Sequence, residues 1–222
     1  MPAAPLIVHA EARAWLESHP AAAGSSIVTS LPDVSELPQL DFDAWRDWFS
    51  ATARIIIDWV PANGVAIFYQ SDIRHREQWV DKSYLVQRAI EAHPNAVLLW
   101  HKIVCRHPPG TISLGRPSYS HMLCVARQPL RSAARSGPDV LPDAGPATWS
   151  RGMGRTACEV ACRFLRRETA TQTVIDPFCG QGNVLAVALT LGFDVVGVDI
   201  SAKRCRAARR QLARAQLATG AV

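Results

Sequence analysis

The stretch Val174-Ile175-Asp176-Pro177-Phe178-Cys179-Gly180-Gln181-Gly182-Asn183 decides how this chain is read. A β-branched, apolar run from Thr173 to Ile175 ends in an acid and a glycine turn, and a helix-like run from Asn183 to Leu191 follows. Such runs favour strands, while Gly180 and Gly182 remove side chains where the backbone bends sharply and a ligand can lie against it. A second apolar run, Phe193 to Val198, ends in Asp199. An acid about twenty residues past a glycine turn stands where it can accept hydrogen bonds from a ribose. The turn reads Gly-Gln-Gly and lacks the third glycine of a dinucleotide fingerprint.

The remaining elements lie on the N-terminal side of this unit. Leu6 to His9 reads as a short strand, followed from Glu11 by a helix through Trp15 and Leu16. Ser26 to Thr29 is a strand running into Ser30-Leu31-Pro32-Asp33, and Phe42 to Val60 has apolar residues at helical spacing. A turn at Pro61 to Gly64 precedes a buried-strand run, Val65 to Tyr69. Tyr84 to Ala92 looks helical, Ala96 to Val104 and Tyr119 to Ala126 are strands, and Trp149 to Arg167 is helical again. Residues 128–147, rich in Pro, Gly, Ser and Ala, read as a mobile linker. Alternating strands and helices predict a single α/β domain over 1–222, a mostly parallel doubly wound sheet split into halves 1–127 and 148–222.

Bulk properties narrow the class. At 222 residues and 48% hydrophobic, the chain has enough material for one α/β core and little for a second domain. No apolar run approaches the ~20 residues of a membrane span. Six scattered cysteines without a Cys-x-x-Cys pair fit a reduced, cytoplasmic setting. The net charge of +5 and pI near 9.1 favour a polyanionic partner. The excess sits in Lys203, Arg204, Arg206, Arg209 and Arg210, with Arg127, Arg131 and Arg135, where a solvated helix face explains it equally well. None of the histidines stands at a ligand spacing with Cys or acids, so no metal is expected.

Asp176-Pro177-Phe178-x-Gly180-x-Gly182 resembles the S-adenosylmethionine motif of class I methyltransferases, in the form used by DNA and RNA amino-methyltransferases. Its position late in the chain resembles the β class, a Rossmann-like fold in circularly permuted order, with the catalytic half first. The resemblance covers nearly the whole chain. It implies S-adenosylmethionine held across Asp176, Pro177, Phe178, Gly180, Gly182 and Asn183, with Asp199 on the ribose. It also implies Glu11 near the adenine, and Ser150 to Arg155 beside the methionine portion.

The family's catalytic loop reads Asp/Asn/Ser-Pro-Pro-Tyr/Phe, and here the same place holds Ser30-Leu31-Pro32-Asp33. The resemblance implies that Ser30 keeps the amine-gripping role and Pro32 one of the loop's prolines, whereas Asp33 cannot stack on a base as the family's aromatic does. Asp33 is instead a general base, an orienting group, or a helix cap, because Glu36 follows three residues later. Asp72 and Arg74 follow the strand ending at Tyr69, on a loop expected to face substrate. The family's Trp-x-Lys strand and later His imply Lys102 and His121 in the acceptor pocket, with Arg106 and Arg116 on phosphates and Tyr119 as a candidate aromatic face.

The resemblance therefore implies methyl transfer to a nucleic acid. About twenty spare loop residues are too few for a module that reads DNA sequence, so a structured RNA, such as tRNA or rRNA, is expected over DNA. The alternatives are a DNA adenine or cytosine amino-methyltransferase, a small-molecule or protein methyltransferase, and a non-catalytic cofactor-binding subunit.

Overall fold

The computed structural model describes residues 4–130, 137–149 and 152–219. Arg131 and Arg135 of the basic excess, and Ser150 and Arg151 of the small-residue segment, lie outside them. The first half lays down β1 (Leu6–His9), α1 (Ala12–Ser18), β2 (Ser25–Thr29), a 3₁₀ turn (Val34–Glu36), α2 (Phe42–Trp59) and β3 (Val65–Gln70). A hairpin of β4 (Ile73–His75) and β5 (Gln78–Val80) leads to α3 (Lys82–Glu91), β6 (Val97–Cys105) and β7 (Tyr119–Ala126). Then follow β8 (Val140–Leu141), α4 (Arg155–Glu168), β9 (Thr173–Asp176), α5 (Asn183–Thr190), β10 (Asp194–Asp199) and α6 (Ala202–Thr219).

Eight strands join in one sheet, ordered β1-β10-β9-β2-β3-β7-β6-β8. β1 to β3 in that order run parallel, and β7 runs antiparallel to both β3 and β6. β2 and β3 are buried along their whole length; β3 reads as a continuous apolar run from Val65 to Tyr69, while β2 carries only Ile27 and Val28 between hydroxyl residues. α4, α5 and α6 cover one face through residues such as Leu165, Leu185 and Leu212. α1, α2 and α3 cover the other through Leu16, Phe49, Ile56 and Val86. The doubly wound α/β sandwich expected from the alternation is present. Among the described residues no helix is long and apolar enough to cross a membrane.

Three local features differ from the sequence reading. The polar run after Tyr69 forms the β4–β5 hairpin, whose two-residue turn holds Arg76 and Glu77 at φ 46° and 62°. Mirror-image hairpin turns need positive φ at both positions, and Arg-Glu carries no local signal for it. α4 starts at Arg155 and not near Trp149, because Gly154 is its N-cap, pressed against the chain at Ala144. A Cβ on Gly154 would lie 2.2 Å from the Ala144 carbonyl oxygen.

The third difference is the expected linker. From Gly137 onward it is fastened: β8 pairs in parallel with β6, and Leu141 and Ala144 are buried. Lys102 Nζ, buried in the sheet, donates to the carbonyls of Gly137 at 3.2 Å and Pro138 at 2.9 Å. A buried ammonium needs acceptors, and these two carbonyls supply them. Burial still lowers the Lys102 pKa, with Asp139 opposing.

Candidate cofactor and acceptor site

β9 and β2 are parallel neighbours at the centre of the sheet, so the glycine turn after β9 and the loop after β2 open side by side. Thr29 Oγ1 donates to Asp176 Oδ1 at 2.7 Å across this junction, and the Phe178 backbone N–H donates to the same oxygen at 3.1 Å. Burial, with nearby Asp199 adding to it, outweighs these bonds and pushes the Asp176 carboxyl up to about 7. Gly180 and Gly182 have φ of 53° and 85°, in the left-handed region that glycine enters without strain. Asp199 fixes the turn: its Oδ2 accepts from Gly180 N at 3.0 Å and its Oδ1 from Ser201 N at 2.7 Å.

These groups border a cavity of about 480 Å³, within the usual size of a small-molecule site. Glu11, Ser30, Pro32, Asp176, Pro177, Phe178, Gly180, Asn183 and Asp199 line it, together with Trp48, Trp149, Met153, Ile200 and Arg204. Glu11 caps α1 by accepting from Ala14 N at 2.8 Å. Asn183 is tied on both sides, accepting from Thr148 and Gln211 and donating to the Met153 carbonyl. Gly182 instead packs α5 against Ala208 of α6.

A smaller hollow adjoins the cavity, sharing Ser30, Leu31, Glu36 and Gly152 with it. Asp33, Tyr69, Ser71, Lys82, Arg106 and Arg116 complete it. Asp33 Oδ1 accepts from Lys82 Nζ at 2.5 Å, and Arg116 lies 3.6 Å from Oδ2. Asp33 N also donates to Glu36 Oε1 at 3.3 Å, and Glu36 pairs with Arg204 at 3.1 Å. The side chain of Asp33 thus faces the hollow while its backbone begins the 3₁₀ turn.

The structure separates other predicted residues from this hollow. Lys102 pairs with Met122 while His121 pairs with Ile103, and successive strand residues point to opposite faces. Lys102 and His121 therefore lie on opposite sides of the sheet. His121 Nε2 bonds to Asp72 at 3.2 Å and its Nδ1 to His101 Nε2 at 2.9 Å. Burial first, then His121, lowers the His101 pKa. Tyr119 meets the His121 ring edge-on at 5.3 Å, and burial raises its phenol pKa. Arg74 is exposed on the β4–β5 hairpin.

Asp72 acts on the site through another residue. It accepts from Trp79 Nε1 at 3.1 Å and from the Lys82 backbone N–H at 3.0 Å, which fixes the start of α3 and hence the root of Lys82. Asp72, Asp81 and His121 hold ligand-capable atoms within 4.8 Å of one another. Asp81 is the N-cap of α3 and Asp72 holds these donors, so hydrogen bonding already accounts for the cluster.

Solved structures of similar fold include proteins named as methyltransferases. TTHA0409 from Thermus thermophilus, proposed to be a DNA modification methylase, superposes with a TM-score of 0.74 at 19% identity, covering 96% of this chain and 95% of that one. Its complex with S-adenosyl-L-methionine gives 0.72 at 18% identity, covering 96% of each. The cytosine-N4-specific PvuII DNA methyltransferase gives 0.71 at 13% identity, covering 92% of this chain and 85% of that one. No protein-family model matches the chain, and no curated protein sequence does.

The chain has a class I methyltransferase fold. Within that fold, the residues at the site that reading the sequence missed include Lys82, Ile200, Trp149 and Arg204. Lys82 is a lone lysine at a helix start, with no pattern around it. Ile200 stands 68% exposed beside the cavity, with its carbonyl held by His9 Nε2 at 2.9 Å. Its signal was available, as an apolar residue directly after the acid of β10. Trp149 and Arg204 form a rim in which the guanidinium sits 5.1 Å from the ring centroid.

Proposed function

We propose that this chain transfers a methyl group from S-adenosylmethionine to a nucleic acid. The observation that carries the reading is the pair of hollows with a shared wall, one bounded by the glycine turn and Asp199, the other by Asp33, Lys82 and Arg116. The larger hollow suits the cofactor chemically. It offers a carboxylate for ribose hydroxyls at Asp199, an exposed aliphatic face at Ile200, an acid at Glu11, and a turn without side chains at Gly180. We read the order of elements, with the glycine turn in the last third, as a circular permutation.

The cofactor supplies an electrophilic methyl carbon on a sulfonium. The protein's own task is to hold a nucleophile in line at near-attack distance and to receive its proton. Ser30 borders both hollows and is placed to orient the acceptor. Asp33, which accepts from Lys82, is the group we assign to receive the proton that the acceptor sheds. Arg106 and Arg116 flank the second hollow and suit the phosphates of the acceptor strand. Exposed Lys203, Arg206, Arg209 and Arg210 on α6 add positive field.

The expectation of RNA rested on too few residues for a recognition module. TTHA0409 is matched over 95% of its length, so a protein proposed to modify DNA is equally compact. Compactness therefore does not favour RNA, and DNA is the substrate we place first. An exocyclic base amine is the acceptor in the PvuII enzyme, and Ser30 with Pro32 suits the same group here.

Radiolabelled S-adenosylmethionine, incubated with genomic DNA, total RNA and protein extract in parallel, tests the reading. Label entering DNA, lost in Asp199→Ala and Asp33→Ala, supports it. Label entering RNA alone keeps the chemistry and overturns the order of substrates. Label confined to protein, or none despite cofactor binding, overturns the nucleic-acid reading.

A further inference from the structure

The loop joining β6 to β7 is closed at its base and open at its tip. Arg106 N and His107 N both donate to the Ser118 carbonyl, at 2.7 and 3.2 Å, which pins the two ends together. Pro117 is buried against the body. Beyond this stem, a Cβ added at Gly110 or Gly115 would meet nothing within 4 Å, so the tip stands clear of the rest of the protein. Two large aliphatic side chains occupy that tip, Ile112 at 90% and Leu114 at 94% exposed. Two such side chains left in water favour burial against a partner.

The surroundings decide what would cover them. The stem carries Arg106 and Arg116, both lining the acceptor hollow, and Arg116 reaches Asp33. Leu114 stands two residues from Arg116, so the tip is tethered close to that hollow. An aliphatic pair flanked by guanidinium groups matches stacked bases between two phosphate tracks, because Ile, Leu and Pro side chains can wedge into a base step while cations hold the backbone.

We propose that Ile112 and Leu114 form a wedge that inserts into the base stack beside the nucleotide to be methylated. The inference rests on the nucleic-acid reading above and adds the surface that would open the stack. Taking a base out of its stack carries a cost, which this insertion would offset.

Salt dependence separates the wedge from the cations. Phosphate contacts release counterions and set the slope of affinity against salt, whereas apolar insertion contributes equally at every salt concentration. A labelled DNA duplex and a labelled RNA hairpin would be titrated with wild type, the double variant Ile112→Ser with Leu114→Ser, and Arg116→Ala. The double variant should bind the preferred probe about tenfold or more weakly, with the slope unchanged. Arg116→Ala should lower the slope by about one. Equal affinity of wild type and double variant overturns the wedge while leaving the nucleic-acid reading intact. Wild type that binds cofactor but neither probe overturns both. Self-association of wild type, abolished in the double variant at unchanged nucleic-acid affinity, assigns the tip to a second copy of this chain and also overturns the wedge. Both side chains are almost fully exposed, so unchanged thermal melting is the control for folding.

Discussion

Lys82 Nζ lies 2.5 Å from Asp33 Oδ1 although 49 residues separate them, and the Lys82 side chain is 3% exposed. The pair is held from three directions. Asp72 fixes the backbone of Lys82, Glu36 accepts from the backbone of Asp33, and Arg116 approaches the second carboxylate oxygen. Removing one partner strands the other in a poorly hydrated place. Lys82→Met should destabilise the fold by about 3 kcal/mol and reduce methyl transfer at least tenfold. The Asp33→Ala, Lys82→Met double variant should lose less than the sum of the single changes, read by denaturant unfolding.

Asp199 is expected to dominate cofactor affinity. Its two oxygens accept from the Gly180 and Ser201 amides, so the carboxylate both shapes the turn and faces the cavity. Each hydrogen bond to a charged group is worth about 1.5–3 kcal/mol. Asp199→Ala should weaken S-adenosylmethionine binding at least tenfold by titration calorimetry, with thermal stability falling more modestly.

Asp176 predicts a pH dependence of stability with a defined sign. Its folded pKa, raised to about 7, lies above the ordinary carboxylate value of 3.8. Between these values the native state binds more protons than the unfolded chain, so stability falls as pH rises from about 4 to about 7 and levels off above. The loss amounts to a few kcal/mol. Asp176→Asn keeps an oxygen for Thr29 and the Phe178 amide, and should remove that slope. Melting temperatures of both proteins across this range check the prediction.

All six cysteines are unpaired and buried. Burial raises the thiols of Cys124, Cys158, Cys179 and Cys205, and that of Cys162 to about 12. A thiol reagent should leave the native protein unmodified on the time scale of free cysteine and titrate six groups after denaturation. Rapid modification of any one in native buffer would contradict the packing.

What could be read from the sequence follows what is encoded locally. β2, β3, β9 and β10 announce themselves because each carries β-branched or apolar residues at its centre, such as Ile27-Val28 in β2 and Val195-Val196 in β10, as burial in a parallel sheet favours. The glycine turn and Asp199 share one strand-helix-strand unit, so their spacing is local too. The β4–β5 hairpin escaped notice because Arg76 and Glu77 adopt a turn that other residues favour. Lys82 carries no local pattern, since its partner comes from another element. Lys102 and His121 looked like neighbours, but the register of β6 against β7, with its bulge between Leu98 and Trp100, sets their opposite faces.

The pairing of β1 with β10 has a consequence for how the chain is made. Leu6 sits against Val196 and His9 against Asp199, so this strand emerges from the ribosome about 190 residues before its partner. β2 waits similarly for β9. Two strand edges must therefore stay unpaired until those later residues have been made, which exposes the nascent chain to chaperones and to aggregation. Assembly of the sheet's centre becomes a late, nearly all-or-none event. The two hollows come into being in that same step, since one follows β9 and the other follows β2.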